Sequence, residues 1–64
     1  MKVAILYILI VEDSSSMCKI INTIFSDFGF NTFLAPTLLD AREILNNNKI
    51  DYIILDTNLP DGHG

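Results

Sequence analysis

The sequence predicts an α/β fold with a parallel sheet, in the order strand, helix, strand, helix, strand. Three short apolar runs have the length of strands, and two segments between them carry apolar residues at the spacing of a helix face. The first and third runs lack polar alternation, which is typical of strands covered on both faces. Elements that alternate in this way with short connections favour right-handed crossovers and therefore parallel strands.

The composition indicates one small folded domain. The chain has 64 residues, of which 50% are hydrophobic, and this argues against disorder. A chain of this length buries little surface, so its stability is marginal. The single cysteine, Cys18, excludes a disulfide framework and indicates a reduced thiol in a cytoplasmic protein. A net charge of -4 argues against direct binding of nucleic acid.

The first strand is predicted within the apolar run Val3 to Val11. We expect Ile8 to Val11 to form its inner part, and residues 1–7 to extend beyond the sheet or to pair with another chain. Although Lys2 and the apolar run superficially resemble a secretory signal, the run leads into Glu12-Asp13 without a cleavage site. It is also too short to cross a membrane as a helix, so we expect no membrane association.

The first helix follows three serines, Ser14 to Ser16, which are candidates for its N-cap. Gly29 is placed to end it, because glycine readily adopts the left-handed conformation found there. The apolar residues between them have the spacing of one helix face, and we expect them to pack in the core: Met17, Ile20, Ile21, Ile24, Phe25 and Phe28.

The second strand is predicted at Phe30 to Ala35 and the second helix at Leu38 to Asn46. Thr37 and Asp40 have the spacing of a capping box in which Asp replaces Glu. Three consecutive asparagines end the helix, because asparagine tolerates left-handed geometry and disfavours helix interiors. The residues expected to face inward are Leu38, Ala41, Ile44 and Leu45.

The third strand is predicted at Asp51 to Asp56, with Tyr52 to Leu55 as its buried part, and Thr57 to Gly64 is predicted to be a loop. Acidic residues follow both the first and the third strand. Carboxyl ends of parallel strands lie at one edge of the sheet, where open α/β folds bind their ligands. If these two strands are neighbours, Glu12, Asp13 and Asp56 converge there.

Three carboxylates so close together cannot all remain ionised without a compensating group. Oxygen ligands without a cysteine cluster favour a hard cation, Mg²⁺ or Mn²⁺. A simpler interpretation also stays open at this point. Glu12 and Asp13 could merely cap the first helix, since acids favour helix N-termini, while Asp56 merely ends a strand.

Three motifs resemble the receiver domain of bacterial two-component response regulators. They are Ile8-Leu-Ile-Val-Glu12-Asp13-Ser14, Tyr52-Ile-Ile-Leu-Asp56 and Leu59-Pro60-Asp61-Gly62-His63-Gly64, in the family's order and with matching separations. The resemblance implies a flavodoxin-like parallel sheet with strand order 2-1-3-4-5. Residues 1–64 would then be a partial receiver domain, truncated to β-α-β-α-β with strand order 2-1-3 and without strands four and five.

The resemblance also implies the roles of the acidic residues. Asp56 would be the phosphoacceptor, and Glu12 and Asp13 would hold Mg²⁺ (or Mn²⁺) together with Asp56 and the main-chain carbonyl of Asn58. The implied partner is a sensor histidine kinase or a phosphotransfer protein with a phosphohistidine donor. Such a module accepts a phosphoryl group and is not a turnover enzyme by itself.

Departures from the family pattern suggest limits to this activity. The hydroxyl residue after strand four and the lysine after strand five are absent, so we expect phosphorylation not to be signalled to the surface. His63 stands where the family usually has methionine, and we expect it to be a solvent-exposed loop residue. The third strand should form a bare edge, which favours self-association. We also expect the parent gene to be longer.

Two other functions were weighed against a phosphoacceptor. The chain could be an inactive half-receiver that serves as an interaction or dimerisation fragment. It could instead be a phosphatase with an aspartate nucleophile, but that chemistry usually needs a second acid two residues later, and Asn58 occupies that position. Dinucleotide binding is excluded because the first strand leads to Glu-Asp-Ser and not to a glycine-rich turn.

Overall fold

A computed structural model describes residues 5–56 and confirms the predicted α/β class. Its elements alternate as the sequence indicates, and their bounds are β1 Tyr7–Val11, α1 Ser15–Asp27, β2 Asn31–Ala35, α2 Leu38–Asn47 and β3 Tyr52–Leu55. Within the described range, neither helix has the length and apolar character needed to cross a membrane.

The strands form a parallel sheet in the order β2-β1-β3, as the family resemblance implied. Ile8 of the central strand pairs with Thr32 on one side and with Tyr52 on the other. Because β1 has a neighbour on both edges and a helix on both faces, it is the most buried element. Leu9 and Ile10 have no exposed surface.

The first strand is shorter than its apolar run. It begins at Tyr7, which had been assigned to the N-terminal extension and instead pairs with Asn31. The main-chain carbonyl of Leu6 accepts the Asn31 N–H at 3.0 Å, so the ladder extends one bond further. Ile5 is exposed. Residues 1–4, the rest of the predicted extension, lie outside the described range.

The ends of α1 follow the predicted capping signals. The Ser14 hydroxyl accepts the Met17 N–H at 3.3 Å and is the N-cap. At the other end Gly29 has φ +90°, and its N–H donates to the carbonyl of Ser26. The N–H of Phe30 donates to the carbonyl of Phe25, which completes a Schellman motif.

Helix α2 begins at the predicted cap, since the Thr37 hydroxyl accepts the Asp40 N–H at 3.1 Å. Its end differs from the expected left-handed geometry: Asn48 is extended, with φ -141°. The asparagines act through their side chains. The side-chain amides of Asn47 and Asn48 donate to the carbonyls of Glu43 and Ile44, in the last turn of the helix.

Two apolar clusters, one on each face of the sheet, form the core. On one face α2 covers Leu9, Val11 and Ala35 through Ala41, with Phe33, Ile44 and Ile50 packed against them. On the other face α1 covers Ile8 and Ile10 through Cys18, with Ile21, Phe25, Phe30 and Ile54 packed against them. Because successive residues of β1 alternate between the faces, one apolar strand serves both clusters.

The sequence predicted more buried apolar residues than the structure has. The α1 residues Met17, Ile20, Ile24 and Phe28 are exposed, as are Leu38 and Leu45 of α2. The third strand is not buried either: Tyr52, Ile53 and Leu55 are 59%, 50% and 57% exposed. Both helices lie over β1 and β2, so within residues 5–56 no helix covers β3.

Candidate functional site

The carboxyl edge of the sheet holds Glu12, Asp13 and Asp56. Glu12 extends β1 by one residue, because its N–H donates to the carbonyl of Ala35 at 3.0 Å. Asp56 extends β3 in the same way, donating its N–H to the carbonyl of Val11 at 2.9 Å. The backbone of both acids is therefore anchored to a neighbouring strand, and parallel pairing of β1 with β3 brings them to one place.

The carboxylates converge as the sequence predicted. Glu12, Asp13 and Asp56 each offer an oxygen, and these oxygens lie within 4.8 Å of one another. Glu12 and Asp56 are half-buried, whereas Asp13 is exposed. The cluster is thus open to solvent on the side of Asp13, so a small ion or a phosphoryl group has a route to it.

Glu12 does more than end a strand. One of its carboxylate oxygens, Oε1, accepts the main-chain N–H of Ser14 at 3.1 Å. Its main-chain carbonyl accepts a hydrogen bond from the buried Cys18 thiol, with Sγ 3.4 Å away. The N-cap of α1 is Ser14, so neither Glu12 nor Asp13 is the N-cap residue.

Electrostatics explain why the cluster suits a cation. The Ser14 amide favours the ionised form of Glu12, but desolvation and the neighbouring Asp56 carboxylate outweigh it and raise the pKa of Glu12. Burial, together with the nearby Glu12 charge, raises the pKa of the Cys18 thiol. A carboxyl group whose pKa is raised by another carboxylate is stabilised in its ionised form when a positive charge binds between them.

The donor set fits a hard divalent cation. All its donors are carboxylate oxygens, which Mg²⁺ and Mn²⁺ prefer, and three acids can share one ion without bidentate binding. Asn58, whose main-chain carbonyl the resemblance implies as a ligand, lies outside the described residues, and so does His63, which was expected to be a solvent-exposed loop residue. The contacts of Ser14 and Cys18 with Glu12 were missed from the sequence. A side-chain oxygen that accepts the N–H two residues later is a known pattern for Ser, Thr, Asn and Asp, but Glu is not one of these residues.

Comparison with known proteins identifies a family. The family description of the response regulator receiver domain matches residues 8–64. This range includes every element described above except the first residue of β1, Tyr7, and it includes all the acids of the cluster. No solved structure matches the chain.

Curated relatives agree with that match. The TorCAD operon transcriptional regulatory protein TorR of Escherichia coli is 34% identical over 58 residues, which cover 91% of this chain and 25% of that protein. Chemotaxis protein CheY-3 of Vibrio cholerae is 38% identical over 58 residues, covering 89% and 45%. Sporulation initiation phosphotransferase F of Bacillus subtilis is 33% identical over 57 residues, covering 89% and 46%. The chain thus spans less than half the length of these relatives.

Proposed function

Because this chain belongs to the family of response regulator receiver domains, we propose that it is the phosphoacceptor part of a two-component phosphorelay. One observation carries the proposal: Glu12, Asp13 and Asp56 converge at the carboxyl edge of β1 and β3. Asp56 is the proposed acceptor because it directly follows a strand, is half-buried and has a backbone anchored to Val11.

The proposed reaction is an in-line transfer to the Asp56 carboxylate. A carboxylate oxygen attacks the phosphorus of a phosphohistidine, an acyl phosphate P–O bond forms, and the P–N bond breaks. The leaving imidazole keeps the electron pair and takes up a proton. The anchored backbone of Asp56 limits the positions that its carboxylate can adopt, which lowers the entropic cost of alignment.

Mg²⁺ or Mn²⁺ would be held by the carboxylates of Glu12, Asp13 and Asp56 and by the main-chain carbonyl of Asn58. When bound, the ion supplies positive charge against the phosphoryl oxygens. The chain's own contribution is to keep the acids together despite their repulsion. It does so by anchoring Glu12 to Ala35 and Asp56 to Val11 through backbone hydrogen bonds.

The proposed donor is a sensor histidine kinase or a phosphotransfer protein. A relative named as a phosphotransferase supports phosphoryl transfer by this kind of domain. Other relatives are named for chemotaxis and for transcriptional regulation. The names of these relatives indicate different outputs. We therefore propose for this chain only the step of accepting a phosphoryl group.

A second candidate role, self-association through a strand edge, is favoured by the exposure of β3. Its outer edge has no partner strand within the described residues, and three of its four side chains are exposed. An apolar groove of about 410 Å³ also runs between α1 and β3, lined by residues that include Phe25, Tyr52 and Ile54. Unpaired apolar edges of this kind readily pair with another chain.

Phosphoacceptance is tested by labelling the chain with acetyl phosphate or beryllofluoride, with and without Mg²⁺. We expect intact mass and fluorine NMR to show one labelled carboxylate that requires Mg²⁺ and is abolished in Asp56→Asn. Asp51→Asn is the matched control, since it makes the same change at the amino end of β3. Absence of labelling in the unaltered chain, or equal labelling in Asp56→Asn, would contradict the proposal.

A further inference from the structure

We propose that the outer edge of β2 binds a basic, extended segment of a partner protein, which pairs with β2 as an additional antiparallel strand. The basic side chains of this segment would lie against the acids of α2. The inference is independent of the proposed function, because it concerns the opposite side of the sheet from β3. Within the described residues β2 has β1 on one side and no strand on the other.

The main chain of Leu34 points to this outer edge. The N–H of Asn31 donates to the carbonyl of Leu6, and the carbonyl of Ala35 accepts the N–H of Glu12, so both of these β2 residues bond toward β1. In a parallel ladder the N–H and C=O of one residue point to the same side, and those of the next residue point to the other side. Leu34 therefore presents both main-chain groups to the outside, and its side chain is 44% exposed.

A groove of about 440 Å³ runs along this edge, between β2 and α2. Its apolar lining includes Leu34 on the strand and Ile44 on the helix. Two carboxylates of α2, those of Asp40 and Glu43, also line it. Asp40 accepts a hydrogen bond from the Thr37 hydroxyl, and neither acid forms an ion pair with another of the described residues. The groove thus joins a free strand edge to two uncompensated negative charges.

Two side-chain amides add oxygens to the same groove. Asn47 and Asn48 each donate through Nδ2 to a main-chain carbonyl of α2, at 2.9 and 3.1 Å. Their oxygens accept no hydrogen bond from residues 5–56. Arginine and lysine side chains carry donors and no acceptor, so they complement a groove whose available polar atoms are mainly oxygens. The net charge of the whole chain, -4, attracts a basic partner at longer range.

The geometry of an added strand sets the order of its side chains. An antiparallel residue opposite Leu34 can exchange both main-chain hydrogen bonds with it, and its side chain lies on the same face of the sheet. Leu34 pairs with Ile10, which lies on the face covered by α1. The residues before and after the added one therefore face α2, where Asp40 and Glu43 stand. We expect an apolar residue between two basic ones, a pattern that adds selectivity to main-chain pairing at a sheet edge.

The test titrates the ¹⁵N-labelled 64-residue chain with three synthetic peptides. The first is acetyl-Thr-Arg-Val-Arg-Thr-amide. The second is N-methylated at the valine, which removes the N–H that would donate to the carbonyl of Leu34. The third is N-methylated at the second arginine, whose N–H points away from β2 in this pairing, and it is the matched control. Amide shifts in ¹H–¹⁵N spectra give both the binding site and the dissociation constants.

We expect the shifts to centre on Thr32, Phe33 and Leu34. The N-methylvaline peptide should bind at least roughly threefold more weakly than the N-methylarginine peptide, the factor that one net hydrogen bond corresponds to. Equal affinities of these two peptides would overturn the inference. Shifts centred on β3 or on the acidic cluster would overturn it as well. Weaker peptide binding at higher chain concentration would show that a second copy occupies the edge, which also contradicts the proposal.

The role of charge is tested with Glu43→Gln, which removes one acid of the groove and leaves β2 unchanged. We expect the first peptide to bind this variant roughly two- to fivefold more weakly, the range of an exposed ion pair. Asp27→Asn is the control, because it removes an exposed acid at the end of α1. An equal loss in both variants would show that only net charge matters, and no loss in Glu43→Gln would show that α2 does not contact the basic side chains. Either result overturns the inference.

Discussion

Glu12 is the residue at which the chemistry of the site and the packing of the fold meet. Its backbone is bound to β2 and to Cys18 of α1, while its carboxylate is shared between the Ser14 amide and the acidic cluster. The identity of the acid was readable from the sequence. Its contacts were not, because they depend on how the turn from β1 into α1 lies against the rest of the sheet.

The raised pKa of Glu12 has a consequence for stability. Since this pKa is higher in the folded than in the unfolded chain, ionisation of Glu12 opposes folding. The stability that accompanies a protonated Glu12 is fully present below the ordinary pKa of 4.5. It is lost as the pH rises through the pKa of Glu12 in the folded chain. Without a bound metal, the ionised Glu12 is therefore a source of repulsion at neutral pH.

We expect Glu12→Gln to stabilise the metal-free chain at about pH 7, with the gain disappearing below the ordinary pKa of a carboxyl group. Urea denaturation in the presence of EDTA, repeated across this pH range, measures the effect as a shift of the midpoint. Glu43→Gln, the same change on an exposed part of α2, is the control. A midpoint for Glu12→Gln that is lower than that of the unaltered chain at neutral pH would contradict the prediction.

At the scale of single elements, the ends of both helices were predictable because capping is local. Serine before α1, Thr37 before α2 and Gly29 after α1 act through groups only a few residues away. Asn48 is the exception: its side chain, and not a left-handed backbone, caps α2. The three consecutive asparagines indicated where the helix ends, but not that side-chain hydrogen bonds would be made there.

Gly29 is the position where backbone conformation matters most. Its φ of +90° is unfavourable for residues with a side chain, whereas a Cβ there would meet no atom within 4 Å. We therefore expect Gly29→Ala to destabilise the chain by about 1 kcal/mol from backbone strain alone. We expect Gly29→Asn to cost less, because asparagine tolerates positive φ better than alanine. Urea denaturation gives both values, and equal costs would contradict this explanation.

At the scale of the whole molecule, the outstanding feature is the unequal covering of the sheet. Both helices lie over β1 and β2, and β3 has exposed apolar side chains on both of its faces. Ile54, which packs against the cluster beneath α1, is its best-covered residue. The same strand that leads to Asp56 is therefore the proposed surface for self-association.

We expect the chain to show a concentration-dependent mass in sedimentation velocity, and Ile53→Lys to shift it toward the monomer. A lysine at this exposed position places like charges opposite each other when two copies pair through β3. Phe28→Lys adds the same charge at an exposed apolar residue of α1 and is the control. A mass that is independent of concentration, or an equal effect of the two variants, would contradict self-association through β3.

The sequence by itself determined the order of the elements, the helix caps and the acids that follow β1 and β3. These are local properties, since periodicity, capping and strand ends depend on neighbouring residues. The convergence of the acids also followed once parallel pairing was assumed, because parallel strands end at the same edge. The family resemblance supplied the order β2-β1-β3, which makes β1 and β3 neighbours.

Only the tertiary structure decided which apolar residues are buried and how Glu12 is held. Periodicity places Ile20 and Ile21 on one broad helix face, but the position of α1 over β1 and β2 leaves Ile20 exposed and Ile21 packed against the core. An apolar run likewise cannot show whether a helix covers a strand. The run of β3 is apolar, yet within the described residues both helices lie over β1 and β2. Burial and long-range hydrogen bonds depend on the relative positions of elements, which no local pattern specifies.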